Sequence, residues 1–259
     1  MPADNSFLPW VIFIFERYWP LFLRGAVNTL IISLTGTIIG FFIGVVIGVI
    51  RTIPVEHNTG VLTKLGYKIL NFLLLCYIEV FRGTPMIVQA MVIFYGAAMI
   101  FNLHLSPLFA GIFIVSINTG AYMSEIVRGG ILSVDKGQFE AAHSIGMTHS
   151  QTMAHIVLPQ AIRNILPATS NEFVINIKDT SVLNVISVTE LFFMSKSAAG
   201  NNFRYFEVFL ITCIIYFVMT FTVTRILRYF EVLLDGPSVY TIHGSQTVPE
   251  AEIRIVGRE

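Results

Sequence analysis

Two stretches of this chain place hydrogen-bonding and ionisable side chains at helical spacing inside apolar sequence. Asn118, Tyr122 and Glu125 fall at i, i+4 and i+7. Thr169, Glu172, Asn176 and Asp179 form a second stripe, with Thr180 and Ser181 beside it and Lys178 off it, placed to pair elsewhere. In hydrocarbon such groups are costly unless paired or wetted, so neither stripe can face lipid. Two readings stay open: an ion-pair network that fixes helix packing, or the wall of a polar path. Glu125 lies near a membrane end, where pairing with Arg128 suits it. The chemistry on offer is binding rather than bond-making. No nucleophile stands beside a plausible base, no zinc-type cluster is present, and His104 is alone in a turn. No Gly-Lys dipeptide occurs, so a P-loop of the G-x-x-x-x-G-K-[ST] type is absent.

The elements that must position these residues are membrane helices. The chain has 259 residues, 54% hydrophobic and 12% charged. Soluble domains carry about 25% charged residues. The net charge of zero gives no bias toward nucleic acid. Met1 to Leu8 lacks the basic flank and cleavage site of a signal peptide. Cys76 and Cys213 lie in apolar runs and read as buried small hydrophobes. Gly25 to Ile50 is uncharged and long enough to cross about 30 Å of hydrocarbon. The region 69–98, interrupted by Arg82-Gly83-Thr84-Pro85, reads as one proline-broken span rather than two. Further spans fall at 107–128, 164–191 and 205–228. Arg51, Lys64, Lys68, Arg128, Lys136, Arg163, Arg225 and Arg228, with Arg82 if it faces a loop, then cluster on one side. The positive-inside rule makes that side cytoplasmic, with the N-terminus outside and the C-terminus inside. The expected fold class is an all-α membrane protein of about five transmembrane helices. A membrane domain would cover 1–235, and a polar cytoplasmic tail 236–259. Gly36, Gly40, Gly44 and Gly48 form a small-residue stripe for close helix packing, within the chain or against another subunit.

Between the third and fourth spans lies a loop at about 129–163 that is polar and small. Phe139, Ala142, Ile145 and Met147 can line one side of a short helix. Gly146 can end that helix in the left-handed conformation. Thr148 or Ser150 can cap a second helix. Pro159 and Pro167 punctuate the return to the membrane. Such a loop suits insertion into a groove on a soluble protein.

Glu140-Ala141-Ala142, Gly146, Ile156 and Leu158-Pro159 match the spacing of the EAA loop, and the chain resembles the permeases of ABC importers. Arg82 to Gln89, Asn118 to Ile131, Lys136-Gly137-Gln138 and Lys178-Asp179-Thr180-Ser181 resemble the polar amino-acid subfamily, with Val182 where leucine is common. The likeness spans roughly Gly25 to Tyr229. It implies the type I importer permease fold and a transport subunit rather than an enzyme. It implies a second permease copy or paralogue, a pair of ATP-binding cassette subunits that hold ATP and Mg, and an extracytoplasmic solute-binding protein. This chain would hold no cofactor and no metal. Glu140, Ala141, Ala142, Gly146, Ile156, Leu158 and Pro159 would couple to the ATPase. Asn118, Tyr122, Glu172, Asn176, Lys178, Asp179, Thr180 and Ser181 become candidates for an amino-acid path. A permease for another small solute, or an ATP-independent channel or scaffold, is the competing expectation.

Overall fold

Glycine at every fourth residue from Gly36 to Gly48 sets the central contact of the bundle. A computed structural model of the chain describes residues 6–53, 60–235, 240–243 and 252–255. Helix α1 (Phe7–Ile50) lies along α4 (Pro107–Leu132). A Cβ on Gly40 would meet the Thr119 Cβ at 2.8 Å, and one on Gly48 would meet Val127 at 2.8 Å. Gly36 abuts Val115 and Gly44 abuts Met123 in the same register. Both series climb by four, so the two helices run parallel, with backbones closer than larger residues would permit.

Helix α2 (Val61–Gly83) runs the other way. Tyr67 donates to the Ile50 carbonyl at the end of α1, whereas Tyr77 reaches the Ile117 carbonyl and Phe81 lies beside Asn118. The chain breaks at Thr84–Pro85, where Thr84 takes the extended backbone favoured before proline. Helix α3 (Met86–Phe101) then continues in the same direction, packing Ala90, Ile93 and Phe94 near Ile32, Ala110 and Ile114. Region 69–98 therefore makes one crossing in two pieces, with α2 starting at Val61. Arg82 sits at that break, level with Asn118, and not in a loop at the end of the bundle.

Two short helices, α5 (Lys136–Ser144) and α6 (His149–Thr152), form the loop. Helix α7 (Leu158–Asp179) returns antiparallel to α4, with Ile165 on Gly130, Thr169 on Met123 and Asn176 on Thr119. Pro167 lies inside α7, not before it. The expected unbroken span at 164–191 is replaced by α7, a 3-10 turn (Thr180–Ile186) and α8 (Leu191–Asn202), bent by 56°. The cause is local: Ser187 takes φ 63°, and Glu190 starts a new helix. Helix α9 (Tyr205–Asp235) closes the bundle, bringing Val208 and Ile211 onto Trp10 and Ile14 of α1. The described residues thus offer up to five crossings by length and composition. Four of the described helices are long and apolar enough to span alone, and the bent α7–α8 unit makes the fifth.

Helix α1 begins at Phe7, eighteen residues before the expected span, and has 44 residues in all. Glu16, Arg17 and Arg24 end the uncharged run in sequence but sit on its exposed side, so they do not end the helix. Cys76 and Cys213 are not buried; both face outward among apolar residues. The tail contributes one antiparallel strand pair, β1 (Tyr240–His243) with β2 (Glu252–Ile255), Tyr240 opposite Ile255.

Candidate functional site: a mid-bundle polar cluster and a folded loop

The two polar stripes separate into a structural knot and an open cluster. Asn176 is only 4% exposed. Its Nδ2 donates to Thr37 Oγ1 at 2.8 Å and to Thr119 Oγ1 at 2.9 Å, which ties α7 to α1 and α4. Thr180 is buried and donates to the Ile177 carbonyl at 3.0 Å. Both are packed within the isolated chain, where their hydrogen bonds serve the contact of α7 with α1 and α4 and the end of α7. Glu125 binds Arg51, at the end of α1, and Arg128, the latter at 2.8 Å. That places it in an ion cluster at the loop end.

The open cluster gathers around the α2–α3 break. Gln89 Nε2 donates to the carbonyls of Phe81 and Thr84, both at 2.9 Å. Asn118 Nδ2 donates to Gln89 Oε1 at 2.9 Å and to the Phe81 carbonyl at 3.3 Å. These bonds satisfy backbone groups freed by Pro85 and fix the end of α2. The Arg82 guanidinium then lies 5.5 Å from the centre of the Tyr122 ring. Half-buried Glu172 lies within electrostatic reach of both Arg82 and Asp179. Arg82, Lys178 and Asp179 are exposed on the isolated chain. Ser181 is half-buried, its carbonyl accepting from Asn184 at 2.7 Å. Lys178 turns toward α9 and lines a cleft with Phe217, Thr220 and Arg225. A guanidinium over an aromatic ring, with carboxylates in electrostatic reach, can hold a small molecule that carries both charges. Among the described residues no group of His, Cys, Asp and Glu could hold a metal ion.

The fold of the loop follows from capping signals written in its sequence. Asp135 Oδ1 accepts from the Gly137 N–H at 2.6 Å and starts α5. At its far end Gly146 takes φ 82°. The Gly146 N–H reaches the His143 carbonyl at 3.0 Å, and the Met147 N–H reaches the Ala142 carbonyl at 3.1 Å. This pair of bonds is the Schellman closure. Thr148 and Gln151 exchange side-chain and backbone bonds in a capping box that opens α6. A π-helical turn, Met153–Val157, leads into α7. Pro159 has no N–H for the preceding turn and crowds it, which the wider π turn relieves. Ala142 is 1% exposed, and Phe139 and Leu158 pack onto Val127, Ile131, Val157 and Ile165. Glu140, Ala141 and Pro159 face outward, Ile156 is half-buried, and Ile145 is 77% exposed. Ile145 therefore does not share the inner side of α5 with Phe139 and Ala142.

Three residues received no site role from the sequence. Arg82 and Gln89 entered only through the Arg82 to Gln89 resemblance, and Arg82 also as a conditional loop charge at the break inside the span. Gln89 sits in an apolar run, and a lone amide there signals a backbone group to satisfy. Glu190 is 0% exposed, and its carboxylate accepts from the N–H groups of Phe192 and Phe193, both at 2.7 Å, and from Tyr216 OH at 3.1 Å. A carboxylate directly before an apolar helix is the available cue for such a cap.

A parallel α1–α4 pair, a broken second crossing and one folded loop define a type I ABC importer permease. Residues 58–234 match the family described as "Binding-protein-dependent transport system inner membrane component". The chain belongs to this family, and it is a multi-pass membrane protein and a transport subunit. It is 38% identical over 213 residues to the glutamine transport system permease protein GlnP of Escherichia coli (strain K12), covering 82% of this chain and 92% of that protein. It is 34% identical over 229 residues to the L-cystine transport system permease protein TcyB of Bacillus subtilis (strain 168), covering 88% and 92%. The crystal structure of an amino acid ABC transporter with histidines superposes with a TM-score of 0.74 at 37% identity, covering 89% of this chain and 99% of that one. The MetNI methionine ABC transporter shares the fold at a TM-score of 0.64 and 19% identity, covering 83% of this chain and 98% of that one.

Proposed function

We propose that this permease carries a polar amino acid through the cluster of Arg82, Tyr122, Glu172 and Asp179. The observation that carries the reading is the juxtaposition of one guanidinium with two carboxylates at the level of the helix break. Arg82 suits an α-carboxylate, as a planar fork of donors. Glu172 or Asp179 suits an α-ammonium. Exposed charges at this height cannot face lipid, which supports a second permease copy or a paralogue across the cluster and water between them.

The loop from Asp135 to Pro159 is the coupling element in this reading. Glu140, Ala141 and Ile145 face outward and would enter the groove of an ATPase subunit, which supplies ATP and Mg. Gly146 fixes the angle of the docking tip. Ala142, Ile156 and Leu158 bind the loop back to the bundle, and Pro159 sets the turn into α7. A solute-binding protein would deliver substrate on the opposite face. The basic residues at the loop end support a cytoplasmic placement, with the N-terminus outside and the C-terminus inside.

Reconstitution with the ATPase and the binding protein, followed by a panel of amino acids, tests this. A polar amino acid should stimulate ATP hydrolysis and accumulate in vesicles. Glu172→Gln and Arg82→Gln should abolish uptake while assembly with the ATPase persists. Full uptake by both variants would overturn the site. Uptake without an ATPase would overturn the coupling.

A further inference from the structure

We propose that the first five turns of α1, residues 7–24, are embedded in the lipid leaflet opposite the α5–α6 loop. These turns lie outside the span expected from charge alone, yet their surface has three distinct sectors. One packs on the protein: Trp10, Ile14 and Phe22 are buried against Leu191, Ala198 and Val208. A second is apolar and exposed: Leu8, Ile12, Phe15, Trp19 and Leu23 follow one another at three or four residues. The third holds Glu16, Arg17, Pro20 and Arg24. An exposed surface divided into adjoining apolar and charged strips is the pattern of a helix held at a lipid boundary.

Two further observations commit the apolar strip to lipid. It continues without a gap into Val27, Ile31, Leu34, Ile38, Phe42 and Val46, the outward line of the spanning half. From Leu8 to Val46 this line is about 57 Å long, against roughly 30 Å of hydrocarbon. A tilt of about 40°, the upper end of the usual range, brings its projection to about 44 Å, the thickness of the bilayer with its headgroup regions, so the charged strip can reach the headgroups while the apolar strip stays in lipid. Independently, α9 begins its uncharged stretch beside these turns, since Val208 and Ile211 pack with Trp10 and Ile14. The outward side chains of α9 at this height include Phe206, whose ring lies 5.6 Å from that of Phe7. Two neighbouring helices therefore present apolar surface at one level.

The chain's two tryptophans make the test direct. Trp10 is buried and Trp19 is 51% exposed, so the difference in emission between the wild type and Trp19→Phe belongs to Trp19. The full-length permease in vesicles of brominated phosphatidylcholine should lose most of this difference signal. Iodide in the aqueous phase should leave it unchanged. Quenching by iodide would overturn the proposal by placing the face in water. Resistance to both quenchers would overturn it by placing protein over the face. With Cys76 and Cys213 replaced by alanine, Phe15→Cys, one turn before Trp19 on the same strip, supplies a second readout: slow labelling by a charged maleimide supports lipid burial, and fast labelling refutes it.

Discussion

Gly146→Ala separates backbone conformation from contact in the α5–α6 loop. A Cβ at Gly146 would meet nothing within 4 Å, so the substitution creates no clash within the chain. Its cost comes from φ 82°, where a residue with a Cβ is disfavoured by about 1–2 kcal/mol. Relief requires the residue to leave that region, which breaks the closing bonds to His143 and Ala142. The docking tip would then point elsewhere. If association with the ATPase requires the closed form, affinity falls by at most about 5- to 30-fold, since 1.4 kcal/mol is a factor of ten. Binding of the purified ATPase to the permease in nanodiscs measures this. Gly146→Asn should recover part of the loss, because asparagine tolerates the left-handed region. Thermal stability of the bundle should not change. Wild-type affinity for the alanine variant would refute the reasoning. Equal losses for Ala and Asn would show that the partner rejects any side chain here, a steric rather than a conformational effect.

Two further predictions concern the bundle. Gly40→Val should lower the melting temperature sharply, because its side chain meets Thr119 and the Gly120 backbone within 3.0 Å, whereas Gly129→Ala, with open space around it, should be neutral in the same thermal-shift assay. Glu190→Ala should destabilise by about 2–4 kcal/mol through orphaned N–H groups at Phe192 and Phe193, with a smaller loss for Glu190→Gln, as read by denaturant unfolding in detergent.

The fold class was legible because lipid imposes a simple rule on composition, and the capping signals of the loop were legible because each is local. Gly146 and Thr148 act within a few residues of themselves, as does Asp135, a cap the sequence reading passed over. Helix ends in the membrane were harder. Charge marks where a helix meets lipid, not where its hydrogen bonding stops, so α1 extends past Arg24 and α2 starts at Val61. The site was half legible for a related reason. Periodicity says that Glu172 and Asn176 share a face of α7, but it does not say what stands opposite. Thr37 and Thr119 stand opposite Asn176 and absorb it into packing. Arg82 stands near Glu172 and leaves it available.

The same packing bears on how motion of the loop could reach the cluster. The loop rests on the ends of α4 and α7 through Val127, Ile131, Ala161 and Ile165. α1 and α4 are locked by the glycine seam, and α7 is tied to both by Asn176. In the proposed coupling, a push on the loop would be carried to α1, α4 and α7 together. The cluster has one wall on these three helices, Tyr122 on α4 and Glu172 on α7, and another on the separate α2–α3 crossing, which carries Arg82. α2 has little buried surface, with Ile78 its one fully buried residue among those described. The break itself is pinned to α4 by the Tyr77 and Asn118 bonds, so a displacement of the three helices would change the separation of Arg82 from Glu172 only where those bonds give way. In this arrangement the opposite charges that would hold a zwitterion stand on two separate parts of the fold, Arg82 on the α2–α3 crossing and Glu172 on α7.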